Sequence, residues 1–248
     1  DNIVFTLESC VQQKVNLNAW AWDAVMKRGW VIDSDQTITG EKPIIVYDSM
    51  VVKRNVLLTI AAGTTIYFHK GAGIDVQGTL VCEGTAERPV VLRGDRLDNM
   101  FDYLPYDLVS GQWRGITFGE SSYGNRVTFT DLHSADNAVV CDSSSIDREK
   151  LKVEYSTIHN NKGFGILSSH SVVNIVSSQI TNCLANCVYA DGGRVSILQS
   201  TIAQFYTFQS VRGWGLLFAN MTKAEGDKDC GIVCLNSIIT GFDDDVIC

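Results

Sequence analysis

Apolar residues in the second half of the chain recur in short runs that share one frame. VTFTDL (127–132), VEYSTI (153–158), IVSSQI (175–180), ILQSTI (197–202) and CLNSII (234–239) each end on an aliphatic residue with a small hydroxyl two places before it. The anchors Leu132, Ile158, Ile180, Ile202 and Ile239 lie 26, 22, 22 and 37 residues apart. A unit of this length cannot bury its own apolar face, so the repeat predicts stacked coils, a solenoid. Five places before the anchors stand Val127, Val153, Ile175, Ile197 and Cys234, and two places before them Thr130, Ser156, Ser178, Ser200 and Ser237. Eight places after come Val140, Ile166, Val188, Ser210 and Ile247, a second strand in phase with Ser210 as the exception. Parallel strands lie about 4.8 Å apart, so each offset becomes a column along the stack. The aliphatic columns make the predicted core. Asn160, Asn182 and Gln204, two places beyond the anchor, predict an amide column where a turn leaves backbone groups to be satisfied.

Upstream, from residue 44, the runs IIVYDSMVV, LLTIAAGTTIYF, GIDVQGTLVCEG, PVVLRGD and WRGITF continue the β pattern, with turns rich in glycine between them. The expected class is all-β. Only LNAWAWDAVMKRG (17–29) admits a helix, with Trp22, Val25 and Met26 on one face and Gly29 as a C-cap. Its competitor is an irregular strand closing the end of the stack against edge pairing. Three insertions break the period: LDNMFDYLPYDLVSGQ (97–112), SSSIDREK (143–150) and one within GWGLLFANMTKAEGDKD (213–229). Insertions project from a solenoid as loops, where binding residues tend to be presented.

The segment LTIAAGTTIYFHKGAGIDVQGTLVCEGTAERPVVLRGD (58–95) resembles the opening coils of bacterial right-handed parallel β-helix proteins. More narrowly, TTIYFHKGAG, VVLRGDRLDNMFDYLPYD and SGQWRGITF are similar to a family of uncharacterised exported surface proteins of Bacteroides and related gut bacteria, over roughly residues 40 to 245. The resemblance implies a single-stranded right-handed parallel β-helix over residues 44–248, with an N-terminal capping segment at 1–43. It also implies an exported protein at the cell surface or outer membrane, lipid-anchored in its precursor, and it carries no activity that transfers. Asp48-Ser49-Met50 fits a short Asp-Ser/Thr-aliphatic pattern resembling O-glycosylation sites of such exported proteins, and reads equally as plain strand.

At 248 residues and 45% hydrophobic the chain can bury a sizeable core, and one continuous domain is expected. A formal charge of -8 argues against nucleic acid as a partner, because that affinity rests on Lys and Arg neutralising phosphates. No apolar run reaches about 18 residues, so no transmembrane segment is expected. DNIVFTLESC has no signal-peptide h-region, as a processed chain would read. The eight cysteines stand at 10, 82, 141, 183, 187, 230, 234 and 248. Cys82, Cys141 and Cys234 fall in apolar strand patterns, and the C-x3-C pairs Cys183/Cys187 and Cys230/Cys234 match zinc spacing weakly. Mostly buried thiols are expected, with one local disulfide left open.

Parallel β-helices include pectate lyases and polygalacturonases, so an enzyme acting on acidic polysaccharides is the alternative that fold analogy offers. A hydrolase needs two carboxylates flanking the scissile bond, and a calcium-dependent lyase a carboxylate group plus an Arg or Lys base. Asp243, Asp244 and Asp245 form the densest acidic group. The preceding coils put Tyr206, Thr207, Leu184 and Ala185 at the matching offsets, so no carboxylate column forms and a solvated turn is expected. His133 and His159 each follow an anchor in consecutive coils and should stack, with Asp131 and Asn160 nearby. Two imidazoles at strand spacing can bind a metal or share a proton. The next coils place Thr181 and Ala203 at that offset, so no third ligand is evident; a structural pair is expected, with no metal and no cofactor.

The aromatic insertion, with Phe101, Tyr103 and Tyr106 followed by Trp113, offers a stacking surface for sugar rings or a protein contact, or else a cover over the solenoid side. Arg93-Gly94-Asp95 spells an adhesion tripeptide at a strand end. The expected function is a non-catalytic exported surface module that binds a glycan or docks on an outer-membrane protein. The alternatives are a polysaccharide lyase or glycoside hydrolase, and a structural spacer of a larger surface assembly. Val246-Ile247-Cys248 falls inside a predicted strand without a polar cap, so a longer chain or a partner is expected to cover the last coil.

Overall fold

Alternating β-branched and polar residues can hide one face of a strand only if another strand row lies opposite, and this chain supplies the rows by coiling. The computed structural model describes residues 2–9, 11–16, 23–220, 230–243 and 246–248. They form a parallel β-solenoid of about eight turns. Three strand rows run along it. The first contains Thr65–Phe68, Val90–Gly94, Thr130–His133, Thr157–Asn161, Gln179–Cys183, Thr201–Gln204 and Ile238–Gly241. The second contains Gly73–Val76, Ile116–Phe118, Val139–Cys141, Ile166–Ser169, Val188–Asp191 and Leu216–Ala219. The strand Ile44–Val52 joins these two rows, pairing through residues 44–46 with the first and 49–52 with the second. Between them Asp48 takes a φ of 62° and turns the corner. The third row is an eight-stranded sheet running from Gln36–Ile38 to Gly231–Leu235.

The sequence columns are observed. Val127, Val153, Ile175, Ile197 and Cys234 pair in succession, as do Leu132, Ile158, Ile180, Ile202 and Ile239. All but the last members are fully buried; Cys234 and Ile239 sit in the terminal coil, where no further described coil covers them. Between rows three and one the chain bends at Phe129, Tyr155, Ser177, Gln199 and Asn236, five non-glycine residues with φ from 44° to 51°. A left-handed residue costs about 1–2 kcal/mol each. The hydroxyl that follows offsets this. Ser156, Ser178, Ser200 and Ser237 each accept the N–H of the hydroxyl residue one coil earlier, at 3.0–3.1 Å, where the strand ladder is interrupted. Each also donates to the carbonyl two residues back at 2.7–2.8 Å.

Two expectations are corrected, and the choice between helix and strand at 17–29 is decided for the strand over the described residues 25–29. The second-row column runs Val139, Ile166, Val188, Leu216 and Ile247, not through Val140 and Ser210. The corner after Leu132 is one residue shorter than its counterparts, and residues 205–215 lengthen the corner after Ile202. Residues 25–29 are not helical: Val25–Ile32 is a strand in parallel register with Ile44–Val52, which satisfies backbone groups that a helix would have left bare on the sheet edge. Trp22 lies outside the described residues. The amide column is broken as well. Asn160 and Asn182 have positive φ and Asn182 Nδ2 donates to Asn160 Oδ1 at 3.3 Å, whereas Gln204 is buried and donates to the Cys183 carbonyl at 2.6 Å.

Residues 25–38 already pair with the first coils, and an antiparallel hairpin of Asn2–Thr6 and Gln12–Asn16 precedes them. Among the described residues the thiols of Cys82, Cys141, Cys183 and Cys187 are buried and free, while Cys234 and Cys248 are exposed. Among the described residues no helix is long and apolar enough to cross a membrane.

Candidate functional site

The first insertion folds onto row one and is pinned there residue by residue. Its tip is a small hairpin of Asn99–Phe101 and Leu104–Pro105, followed by one 3-10 turn, Tyr106–Leu108. The returning backbone bonds to the coil below: Gly111 N–H to the Ala135 carbonyl at 3.1 Å and Gln112 N–H to the Ser134 carbonyl at 2.8 Å. Ser134 Oγ donates to the Asp107 carbonyl at 3.0 Å, and Gln112 Nε2 ties the 3-10 turn through the Val109 and Tyr106 carbonyls.

Trp113 ends the insertion and is fully buried. Its ring stacks on Phe68 at 4.3 Å and its Nε1 donates to the His133 carbonyl at 2.8 Å. It is a core residue and presents no ring to a ligand, which corrects its place in the expected binding set. Tyr106 is partly covered, with the Arg96 guanidinium 3.8 Å above its ring; Arg96 in turn forms a bidentate pair with Asp98. Phe101 and Tyr103 stand at the tip, 55% and 82% exposed, with rings 5.7 Å apart and 13° from parallel.

Beneath the insertion the stacked histidines are present as the repeat predicts. His133 pairs with His159 across adjacent coils, and their rings lie 4.7 Å apart. Strand alternation puts Leu132 in the core and turns Asp131 and His133 outward. His133 is nevertheless 4% exposed, because the 3-10 turn lies over it. Both of its ring nitrogens donate to carboxylates, Nδ1 to Asp131 Oδ1 at 3.1 Å and Nε2 to Asp107 Oδ1 at 3.0 Å. His159 Nε2 donates to the same Asp131 oxygen at 3.0 Å, and Arg93 forms an ion pair with Asp107.

Burial opposes a charge on His133, but the hydrogen bonds to Asp107 and Asp131 outweigh it and raise its pKa. Burial also works against the Asp131 carboxylate, yet the bonds from His133 and His159 hold it well below the usual range. The His133 bond, against a smaller burial penalty, likewise lowers Asp107.

The repeat places Asp131 beside the histidine pair, as expected, but assigns it no role as a third ligand and gives no place to Asp107. The third group is Asp131, two places before His133 on the same strand rather than in the next coil, and the fourth is Asp107, inside the insertion. Position i,i+2 was the available signal for Asp131; no period assigns a place to Asp107.

The other candidates are dispersed. Asp243 pairs with Arg212 at 3.4 Å, and Arg212 also holds the Tyr206 and Gln209 carbonyls; Asp244 and Asp245 lie outside the described residues. Within Arg93-Gly94-Asp95 both charged side chains are engaged, Arg93 with Asp107 and Asp95 with His69 Nδ1 at 2.7 Å. Ser49 accepts from Arg114 at 2.8 Å. The second insertion shapes a groove of about 490 Å³ over row three, lined by Asp147, Arg148, Glu149, Asn174 and Arg194 among others, which no repeat offset predicts.

No protein-family model matches the chain, and comparison with curated proteins and with solved structures gives no match. The fold and the geometry above therefore carry the functional reading. The class they define is a parallel β-solenoid with a pinned aromatic hairpin on its side.

Proposed function

We propose that the chain is a non-catalytic, exported cell-surface module that binds a glycan through the tip of the 97–112 insertion. The observation that carries this reading is the pair Phe101 and Tyr103, apolar surface left exposed on a hairpin whose base is fixed by several hydrogen bonds. Exposed rings on a rigid mount lose little conformational entropy on binding, and the outer face of Tyr103 suits the C–H face of a pyranose. Asn99 in the hairpin, with Arg96 and Asp98 just before it in sequence, supplies polar groups for a sugar's hydroxyls.

Retention of the protein on a panel of immobilised polysaccharides, without chain cleavage, is the expected result. Tyr103→Ala should weaken that retention about 2–10-fold, the worth of one aromatic contact. Depolymerisation by the wild type that is lost on Asp243→Asn would instead establish the enzyme reading.

A second reading, docking on an envelope protein, draws support from the terminal coil. There Leu235 and Ile238 are exposed on strands that have one described neighbour, and Phe242 is exposed just beyond the second of them. Co-purification of an outer-membrane partner, lost on Leu235→Glu with Tyr103 intact, would favour it.

A further inference from the structure

We propose that Asp131, His133 and His159 form a binding site for one divalent transition ion of the zinc class, with Asp107 as the outer carboxylate that orients His133. The site goes beyond the glycan reading and stands or falls without it.

Three ligand atoms converge there from two coils. One ligand atom from each of Asp131, His133 and His159 lies within 4.8 Å of the other two, and Asp131 Oδ1 is 3.1 Å from His133 Nδ1 and 3.0 Å from His159 Nε2. Zinc bonds nitrogen and oxygen at about 2.0–2.2 Å, so tetrahedral ligands sit about 3.3 Å apart. Two of the three edges need to open by only a few tenths of an ångström. The third edge, between the two imidazoles, is within 4.8 Å and closes toward about 3.3 Å by rotation of the side chains, while the β-ladder keeps His133 and His159 in register.

The outer contacts fix the chemistry of His133. Its Nε2 is committed to Asp107, and Asp107 is held by Arg93. An arriving ion displaces the Nδ1 proton to solvent while the Nε2 proton stays hydrogen-bonded to Asp107, so Nδ1, beside Asp131, supplies the lone pair. A ligating imidazole whose second nitrogen donates to a carboxylate is the usual way proteins fix the tautomer and orientation of a metal-bound histidine. A merely packed pair of stacked rings has no need of two carboxylates and an arginine around one nearly buried imidazole.

Ligand type selects the ion. Two imidazoles and one carboxylate suit zinc and its first-row neighbours, whereas magnesium and calcium prefer oxygen donors throughout. Three protein ligands leave one position for water or a ligand oxygen. Asp131 and His159 are 40% and 22% exposed at their side chains, so that position opens toward solvent.

The test uses the whole chain, stripped with a chelator, its exposed thiols at Cys234 and Cys248 capped by alkylation. It is titrated with zinc by calorimetry and with cobalt by visible absorption. One saturable equivalent is expected, with cobalt giving the strong ligand-field bands of a four-coordinate site. His159→Gln and Asp131→Asn should abolish saturable binding. Asp107→Asn should keep the stoichiometry and weaken the affinity about 10–100-fold, as loss of an outer carboxylate does. His69→Gln, at an unrelated imidazole–carboxylate pair, should leave binding unchanged. Circular dichroism and a thermal melt check each variant's fold; if Asp131→Asn unfolds, the partly exposed His159→Gln decides. Absence of saturable binding to the wild type, or binding that survives His159→Gln, would overturn the site.

Discussion

Replacing Ser178 with alanine removes one rung of the hydroxyl column that runs along the bend between rows three and one. Ser178 Oγ accepts the Ser156 N–H at 3.1 Å and donates to the Val176 carbonyl at 2.8 Å. The carbonyl keeps a second partner, the Tyr155 N–H at 3.1 Å, so it is not orphaned. The Ser156 N–H has no such reserve, and both serines are buried, 3% and 5% exposed, beyond easy replacement by water. An unsatisfied buried donor costs about 1–3 kcal/mol. For a chain of this size each kcal/mol lowers the melting temperature by about 2–4 °C, which places the expected loss between about 2 and 12 °C. Amide exchange at Ser156 should accelerate with it, about tenfold for each 1.4 kcal/mol lost locally. Ser178→Thr keeps the hydroxyl, as Thr130 does in the same column, and should be close to neutral. Ser237→Ala, in the half-exposed terminal rung, should cost less than Ser178→Ala because water can take the hydroxyl's place. A Ser178→Ala protein that melts like wild type with an unchanged Ser156 amide would refute the reasoning, as would a Thr replacement that is equally damaging.

Trp113→Ala should destabilise by about 3–5 kcal/mol, since it empties a fully buried site stacked on Phe68, and denaturant titration measures it. Gly115→Ala should be as severe: Gly115 has a φ of 99° and an added Cβ would stand 1.7 Å from the Asn137 carbonyl oxygen, so a failure to destabilise would contradict the tight corner described here. Alkylation of the native protein should modify Cys234 and Cys248 while leaving Cys82, Cys141, Cys183 and Cys187 unmodified until the chain unfolds, as peptide mass mapping would show. Burial pushes the Cys82 and Cys141 thiols up to about 12 from 9.0. Their folded-state pKa lies above the unfolded value, so their contribution is fully present below pH 9 and is lost as pH rises toward 12. Each should cost about 1.4 kcal/mol per pH unit over that range, and the slope of denaturant midpoint against pH should flatten in Cys82→Ala.

Sequence by itself determined the stack. Its period, the aliphatic columns, the hydroxyl column and the pairing of His133 with His159 were all legible, because in-register parallel coils turn a fixed offset along the chain into adjacency in space. The same logic failed wherever a corner changed length: one residue lost before Val139 reverses which side chain faces inward, and the longer corner before Leu216 moves the column away from its offset. The left-handed bend was hidden for a different reason: Phe129, Tyr155, Ser177, Gln199 and Asn236 share no side-chain chemistry, and only the backbone conformation unites them. Only the tertiary structure decided what the 97–112 insertion does. It buried Trp113, exposed Phe101 and Tyr103, and laid Asp107 over His133. An insertion has no periodic neighbour to fix its place, and its position is set by individual long-range contacts such as Gln112 with Ser134 and Arg93 with Asp107 that no local pattern encodes.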